Sequence, residues 1–100
     1  MDGRSVMERC DLLATCTEEP GRITRPFASD AMRLAHQYVE DWMGQAGMTA
    51  RRDNIGNLHA RYEGSGDATL LLGSHLDSVR DAGRYDGPLG VMVAIAAVQR

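Results

Sequence analysis

The chain has 100 residues, of which 43% are hydrophobic and 25% charged, and its formal net charge at pH 7 is −3. This composition is typical of an ordinary globular segment with room for one small core and no more than one domain. The basic residues do not cluster, which argues against a nucleic-acid-binding protein, because such proteins concentrate positive charge on one surface.

Neither the start of the chain nor its apolar runs indicate a membrane or secreted protein. The longest apolar run, residues 89–98, is too short to span a bilayer, and the first residues lack the basic start and apolar stretch of a signal peptide. Cys10 and Cys16 fit neither a CxxC metal pair nor a disulfide framework, so free thiols are expected. We therefore expect a cytoplasmic protein that binds neither nucleic acid nor a membrane.

Two amphipathic helices are predicted in the first half of the chain. Ser5 and Glu8 have the form of a capping box, and apolar residues follow at helical spacing, which predicts a helix over residues 6–16. Ser29 is the expected N-cap of the second helix, whose apolar stripe ends before Gly47.

The segment between these helices, residues 17–27, contains two prolines and a glycine and is predicted to be a loop. The residues alone leave two interpretations open for Arg25 in this loop, a functional group or an ordinary surface charge. His36, in the second helix, lies near the polar side and is expected to be exposed to solvent.

Strands and a last helix are predicted in the second half. Residues 49–53 and 57–62 are expected to be strands, the second because its polar and apolar residues alternate. His59 falls on the polar face of that strand and is a poor candidate for a metal ligand. Residues 68–74 form a short apolar run, typical of a strand buried on both faces of a sheet. Residues 89–98 are apolar nearly all round and are predicted to form a buried helix.

A histidine and two carboxylates follow the third predicted strand. His75 would lie at the carboxyl end of that strand, the edge of an α/β sheet at which ligands bind. Imidazole is a good ligand for zinc, manganese or cobalt, and Asp77 can orient the ring from the same side of an extended chain. Asp86 follows His75 by 11 residues. Gly83 and Gly87 would let the chain turn back and bring the two side chains together.

The string GSHLDSVRDAGRYDGPLG, residues 73–90, resembles the metal signature of the M20 metallohydrolases. The short gap between His75 and Asp86 is similar to the branch of allantoate amidohydrolases and N-carbamoyl-L-amino-acid hydrolases, since the peptidase branches space these residues more widely. Three upstream stretches also agree with this branch: residues 21–27, 42–48 and 53–58.

By this resemblance His75 would ligate one metal ion, Asp86 would bridge two, and Asp77 would be the catalytic acid that orients His75. The implied cofactors are two divalent ions, zinc or manganese, and residues 17–27 would approach the active site. The implied fold is the N-terminal part of a zinc-peptidase-like α/β catalytic domain, a mixed sheet flanked by helices. A general-base glutamate, further ligands and a lid and dimerisation domain would lie beyond Arg100. We therefore expect the chain to be the N-terminal fragment of a longer protein, and that protein to form a homodimer.

The resemblance implies a hydrolase that cleaves a carbon–nitrogen bond of a small ureido substrate and releases ammonia, with allantoate as the expected substrate. An N-carbamoyl-L-amino-acid hydrolase is the alternative within the branch, and an inactive truncated product is the non-catalytic alternative. The spacing of His75 and Asp86 disfavours an aminopeptidase. The sequence assigns no substrate-binding residue, and the 100-residue chain alone is expected to be inactive.

Overall fold

The computed structural model describes residues 1–99. Within them, one of three helices packs against a small antiparallel sheet of two strands, which confirms the predicted α/β class. The elements in chain order are α1 (Gly3–Ala14), α2 (Asp30–Gln45), β1 (Thr49–Arg52), β2 (Leu58–Arg61) and α3 (Pro88–Gln99). Among the described residues, no helix combines the length and apolar character that crossing a bilayer requires.

Helix α1 begins one turn earlier than the sequence predicted. Its N-cap is Asp2, whose Oδ1 accepts hydrogen bonds from the backbone N–H of Ser5 at 2.9 Å and from the Ser5 hydroxyl at 3.0 Å. The assignment of Ser5 as the cap was therefore wrong, because Asp2 presents an equally suitable oxygen one turn earlier and places Ser5 inside the helix. The helix also ends at Ala14 rather than Cys16.

Helix α2 and the β-hairpin follow the sequence prediction closely. Ser29 caps α2, with its hydroxyl oxygen accepting a hydrogen bond from the Met32 N–H at 3.1 Å. Gly47 follows the helix with a φ of +84°, a left-handed conformation that favours glycine. β1 and β2 then pair in antiparallel register, Thr49 opposite Arg61 and Arg52 opposite Leu58.

Residues 68–74 do not form the buried strand that their apolar run predicted. They lie outside any ladder, and the side chains of Leu70 and Leu71 are 83% and 87% exposed. A strand needs neighbouring strands to satisfy its N–H and C=O groups, and the sheet formed by the described residues consists of β1 and β2 alone. The apolar composition of this run is typical of a strand, but composition does not supply a pairing partner.

The core lies between α1, α2 and α3, and α2 also packs against the hairpin. Helix α3 was predicted to be buried on all sides, but only one face is covered: Ile95 is 2% exposed, whereas Val93 is 52% exposed. The second face of α3 has no layer packed against it among residues 1–99. The buried apolar residues of this core are Val6, Cys10, Leu13, Cys16, Met32, Ala35, Val39, Trp42, Met43, Ala46, Leu76, Met92 and Ile95.

The one-sided burial of α3 predicts different costs for two similar truncations. Ile95→Ala should lower the free energy of unfolding by about 2–5 kcal/mol, because it leaves a cavity in a packed core. Val93→Ala on the same helix should change it by about 0.5 kcal/mol or less, since its side chain is half exposed. Denaturant unfolding of the 100-residue chain measures both. Equal losses would mean that the outer face of α3 is also covered in solution.

Candidate metal centre

The structure brings together the three side chains that the sequence singled out. His75 Nε2 lies 3.6 Å from Asp86 Oδ1, and His75 Nδ1 lies 3.5 Å from Asp77 Oδ1. The imidazole therefore stands between two carboxylates. All three side chains are open to solvent, with 52%, 55% and 68% of the surfaces of His75, Asp77 and Asp86 exposed. A cation can approach them from outside.

Hydrogen bonding fixes how the imidazole presents its two nitrogens. His75 Nδ1 lies 2.9 Å from the backbone oxygen of Asp77. A carbonyl oxygen only accepts hydrogen bonds, so Nδ1 carries the proton in the neutral ring. The lone pair of the ring is then on Nε2, the nitrogen that faces Asp86. This arrangement, with one nitrogen held by an oxygen and the other free, is the usual one for a histidine that ligates a metal.

A close contact at the start of α3 brings Asp86 to His75. Gly87 has a φ of +96°, and a Cβ at this position would lie 2.6 Å from His75 Nδ1. At Gly90 a Cβ would lie 2.8 Å from Ser74 Oγ, and the Ser74 hydroxyl donates a hydrogen bond to the Gly87 oxygen at 2.9 Å. Only glycine fits at either position without displacing these neighbours. The roles of Ser74 and Gly90 could not be identified from the sequence, because a close packing contact leaves no motif.

Gly83, the other glycine expected to help the chain turn back, makes no such close contact. Nothing lies within 4 Å of a Cβ built there, and its φ is not in the left-handed region. Asp81 adopts that region instead, with a φ of +55°. The return from His75 to Asp86 therefore depends on Gly87 and not on Gly83.

The loop between α1 and α2 supports the segment that carries the candidate ligands. Ser78 and Arg25 exchange two hydrogen bonds of 2.9 Å, Ser78 N to Arg25 O and Arg25 N to Ser78 Oγ. Further along, the Ala82 N–H donates to Ile23 O at 2.8 Å, and the two residues form an antiparallel bridge. An exposed ion pair between Arg80 and Glu19 also joins the two segments. The loop thus runs beside the chain between His75 and Asp86.

Arg25 is buried, so its interpretation as an ordinary surface charge was wrong. Only 1% of the surface of Arg25 is exposed, and its guanidinium donates hydrogen bonds to the backbone oxygens of Leu13, Cys16 and Leu76 at 2.7–2.8 Å. Burial lowers the pKa of the guanidinium, an effect that the nearby charge of Asp77 opposes. The acceptors lie 9 to 51 residues away in sequence, which is why no local pattern revealed this role.

The other two histidines lie outside the candidate metal centre. His59 is exposed, as predicted, and its Nε2 lies 2.9 Å from Asp53 Oδ2. Asp53 also accepts from the backbone N–H groups of Ile55 and Asn57 and so closes the hairpin turn. His36 was expected to be exposed but is half-buried, and burial lowers its pKa.

The described residues provide two metal-donor side chains in one place, not a complete centre. Within residues 1–99 no group of three or more histidine, cysteine, aspartate or glutamate side chains has the arrangement of a metal site. His75 Nε2 and the Asp86 carboxylate are donors of the type that zinc and manganese prefer. The chemistry of the pair therefore fits a metal, and its donor number fits half of a site.

The sequence has clear relatives among known proteins, although no protein-family model matches it. It is 39% identical over 89 residues to allantoate deiminase 1 of Glycine max, covering 87% of this chain and 18% of that protein. It is also 39% identical over 102 residues to N-carbamoyl-L-amino acid amidohydrolase of Geobacillus stearothermophilus, covering 99% of this chain and 25% of that protein. The chain belongs to this family of amidohydrolases.

Solved structures of amidohydrolases agree with this assignment. A hydantoinase/carbamoylase family amidase from Burkholderia ambifaria is 34% identical, with a TM-score of 0.88, over 98% of this chain and 25% of that one. AtUAH in complex with glyoxylate is 32% identical, with a TM-score of 0.89, over 97% of this chain and 24% of that one. The chain thus spans about a fifth to a quarter of the length of these relatives.

The contact between Gly87 and His75 predicts the effect of adding one methyl group. Gly87→Ala should displace the His75 ring, because its new Cβ overlaps His75 and its φ disfavours alanine. Gly83→Ala is the matched control and should be tolerated, since the space beside it is open. Side-chain NMR resonances of His75 and thermal unfolding of the chain measure the difference. Unchanged His75 resonances in Gly87→Ala would contradict the close contact.

The hairpin turn predicts a pH dependence of its own. Hydrogen bonds from His59 and Asn57 hold the pKa of Asp53 well below its ordinary value of about 3.9. Because the folded-state pKa is lowered, these bonds stabilise the hairpin above about pH 3.9 and are lost as the pH falls through the folded pKa. NMR titration of the Asp53 carboxyl should show this lowered pKa, and Asp53→Asn should loosen the hairpin at neutral pH. Titration at the ordinary value would refute the network.

Proposed function

We propose that this chain is the portion of a metal-binding catalytic domain that carries His75 and Asp86, and that the complete protein hydrolyses a ureido carbon–nitrogen bond with release of ammonia. Allantoate is the proposed substrate. The observation that carries this proposal is the placement of the His75 ring between Asp77 and Asp86 in a chain that is 39% identical to an allantoate deiminase. A cytoplasmic location and a homodimer of the complete protein stay predictions.

The residues of the site fit the proposed roles in metal binding. His75 would ligate one ion through Nε2, and Asp86 would contribute its carboxylate to one ion or bridge two. Asp77 would act on His75 and not on the metal: its backbone oxygen accepts from Nδ1 at 2.9 Å, and its carboxylate lies 3.5 Å from the same nitrogen. Two ions need more donors than these two side chains supply, so we propose that the remaining ligands come from elsewhere in the complete protein. Zinc and manganese both suit this donor set.

The reaction needs a polarised ureido carbonyl, an activated water and a group that moves a proton. When bound, divalent ions act as Lewis acids on the carbonyl and lower the pKa of water. The described residues contribute the fixed orientation of His75 and the negative charge of Asp86. Water adds to the ureido carbon, the carbon–nitrogen bond breaks, and the departing nitrogen leaves as ammonia. A general base, which we propose to be a glutamate outside this chain, would take a proton from the water and deliver it to the departing nitrogen, which needs it to leave as ammonia.

A second substrate class has its own support. The relative from Geobacillus stearothermophilus, which is named for N-carbamoyl-L-amino acids, matches this chain at 39% identity over 99% of its residues. Both classes present a ureido group and a carboxylate, and the described residues include the candidate ligands but no assigned carboxylate-binding group. An N-carbamoyl-L-amino-acid hydrolase is therefore the second candidate. An inactive truncated product is the third, should the chain occur alone.

The substrate proposal predicts an order of activities for the complete protein. With zinc or manganese supplied, ammonia release should be fastest from allantoate and slower from N-carbamoyl amino acids, and a dipeptide should not be hydrolysed. The measurements, at equal substrate concentration, are ammonia release from the ureido substrates and release of free amino acids from the dipeptide. Faster turnover of N-carbamoyl amino acids would establish the second candidate, and hydrolysis of the dipeptide alone would refute the whole proposal.

The proposed roles predict different consequences for the two aspartates of the site. In the complete protein Asp86→Ala should abolish both metal pairing and turnover, because it removes a ligand. Asp77→Asn keeps the backbone oxygen that binds Nδ1 but removes the negative charge 3.5 Å from that nitrogen. It should retain metal but lower activity by about 10- to 100-fold, the usual effect of altering a group behind a ligand. Metal content and ammonia release measure both variants. Complete loss of metal in both would show that Asp77 is itself a ligand.

A further inference from the structure

A single buried guanidinium binds three backbone oxygens that belong to two separate segments. Arg25 Nη1 donates to Leu13 O and Cys16 O, both at 2.8 Å, at the carboxyl end of α1. Its Nε donates to Leu76 O at 2.7 Å, in the segment of the candidate ligands. A buried charge is costly unless strong acceptors surround it, and the carbonyls at a helix C-terminus carry the negative end of the helix dipole. The carbonyls at the end of α1 explain how the positive charge of Arg25 is stabilised, but they do not explain why the guanidinium also binds Leu76.

The bonds from Arg25 lie on both sides of Asp77. The guanidinium binds the carbonyl of Leu76, which fixes the plane of the peptide that links Leu76 to Asp77. The backbone of Arg25 holds Ser78 from the other side through two bonds of 2.9 Å. Leu76 is 8% exposed and packs in the core, whereas His75 and Asp77 are open to solvent. The chain at Asp77 is thus held at both neighbours and turned so that the polar side chains face outward.

We infer that Arg25 is a positioning residue for the candidate metal centre, an inference that rests on the proposed function. By fixing the peptides around Asp77, it sets the backbone oxygen that receives the Nδ1 proton of His75. That bond in turn directs Nε2 toward Asp86. The geometry of the ligands therefore depends on a residue that touches neither the metal nor the substrate.

The planar fork of arginine is essential to this role. Its donors point in fixed directions in one plane, so one side chain binds the end of α1 and Leu76 at the same time. Lysine keeps the charge but presents a single ammonium on a flexible stem and cannot hold both groups in the same geometry. Arg25→Lys is therefore the informative variant. Arg80→Lys is its matched control, because Arg80 joins the same two segments through an exposed ion pair with Glu19.

Two measurements on the complete protein test the inference, one without metal and one with Co²⁺ as the probe. Hydrogen exchange of the metal-free protein should be faster across residues 75–79 in Arg25→Lys and unchanged in helix α2. Affinity for Co²⁺, measured by competition with a chelator, should fall about 10- to 100-fold in Arg25→Lys. The absorption bands of bound Co²⁺ should also shift, because the ligand geometry changes. Arg80→Lys should match the wild type in hydrogen exchange, Co²⁺ affinity and absorption bands.

The outcomes separate this inference from the proposed function. If the wild type binds no Co²⁺, the proposed function fails and the positioning role with it. If the wild type binds Co²⁺ and folded Arg25→Lys shows the same affinity, spectrum and exchange, the positioning role alone is overturned. Should Arg25→Lys not fold, Ser78→Ala is the second variant. It removes the hydrogen bond from the Arg25 backbone N–H to the Ser78 hydroxyl and keeps the guanidinium. It should weaken Co²⁺ binding by about 2- to 10-fold, and unchanged affinity would overturn the inference.

Discussion

The contact between the Gly87 backbone and the His75 ring is the constraint on which the rest of the structure depends. It places the start of α3 directly against the segment that follows residues 68–74, with Gly87 and Ser74 joined by a hydrogen bond. From that start, α3 runs back over α1 and closes the core with Met92 and Ile95. The same contact sets Asp86 beside the imidazole. Packing of the core and assembly of the candidate metal centre are thus consequences of one close approach.

The candidate metal centre consists of exposed polar side chains on a backbone that buried residues hold in place. His75 and Asp86 are half exposed or more, whereas Leu76 and Arg25 beneath them are almost fully buried. This division suits a ligand-binding edge, since the side chains remain accessible while the peptides that carry them cannot shift freely. Support comes from the loop before α2 and not from a neighbouring strand, because residues 68–74 pair with none in the described part of the chain.

Local signals in the sequence predicted most of the secondary structure and the close approach of His75 and Asp86. Helix α2, the hairpin and the meeting of His75 with Asp86 follow from caps, alternation and glycine placement within a few residues. Distant contacts were not predictable in this way. Arg25 is bound to Leu76, 51 residues away, and a pattern that reads neighbouring residues cannot show such a bond. The prediction of a strand at residues 68–74 was wrong for the same reason. A strand forms only where a neighbouring strand pairs with it, and the local sequence does not show whether one is present.

Paramagnetic broadening by Mn²⁺ tests most directly whether His75 and Asp86 share a cation. Small amounts of Mn²⁺ added to the isotopically labelled 100-residue chain broaden the NMR signals of nuclei near the bound ion, even when binding is weak. The structure predicts that the strongest broadening falls on the amides around His75 and on those of Asp86 and Gly87, and that Asp86→Ala removes it. Broadening centred on Asp53 and His59, or spread evenly over all surface carboxylates, would contradict the proposed centre.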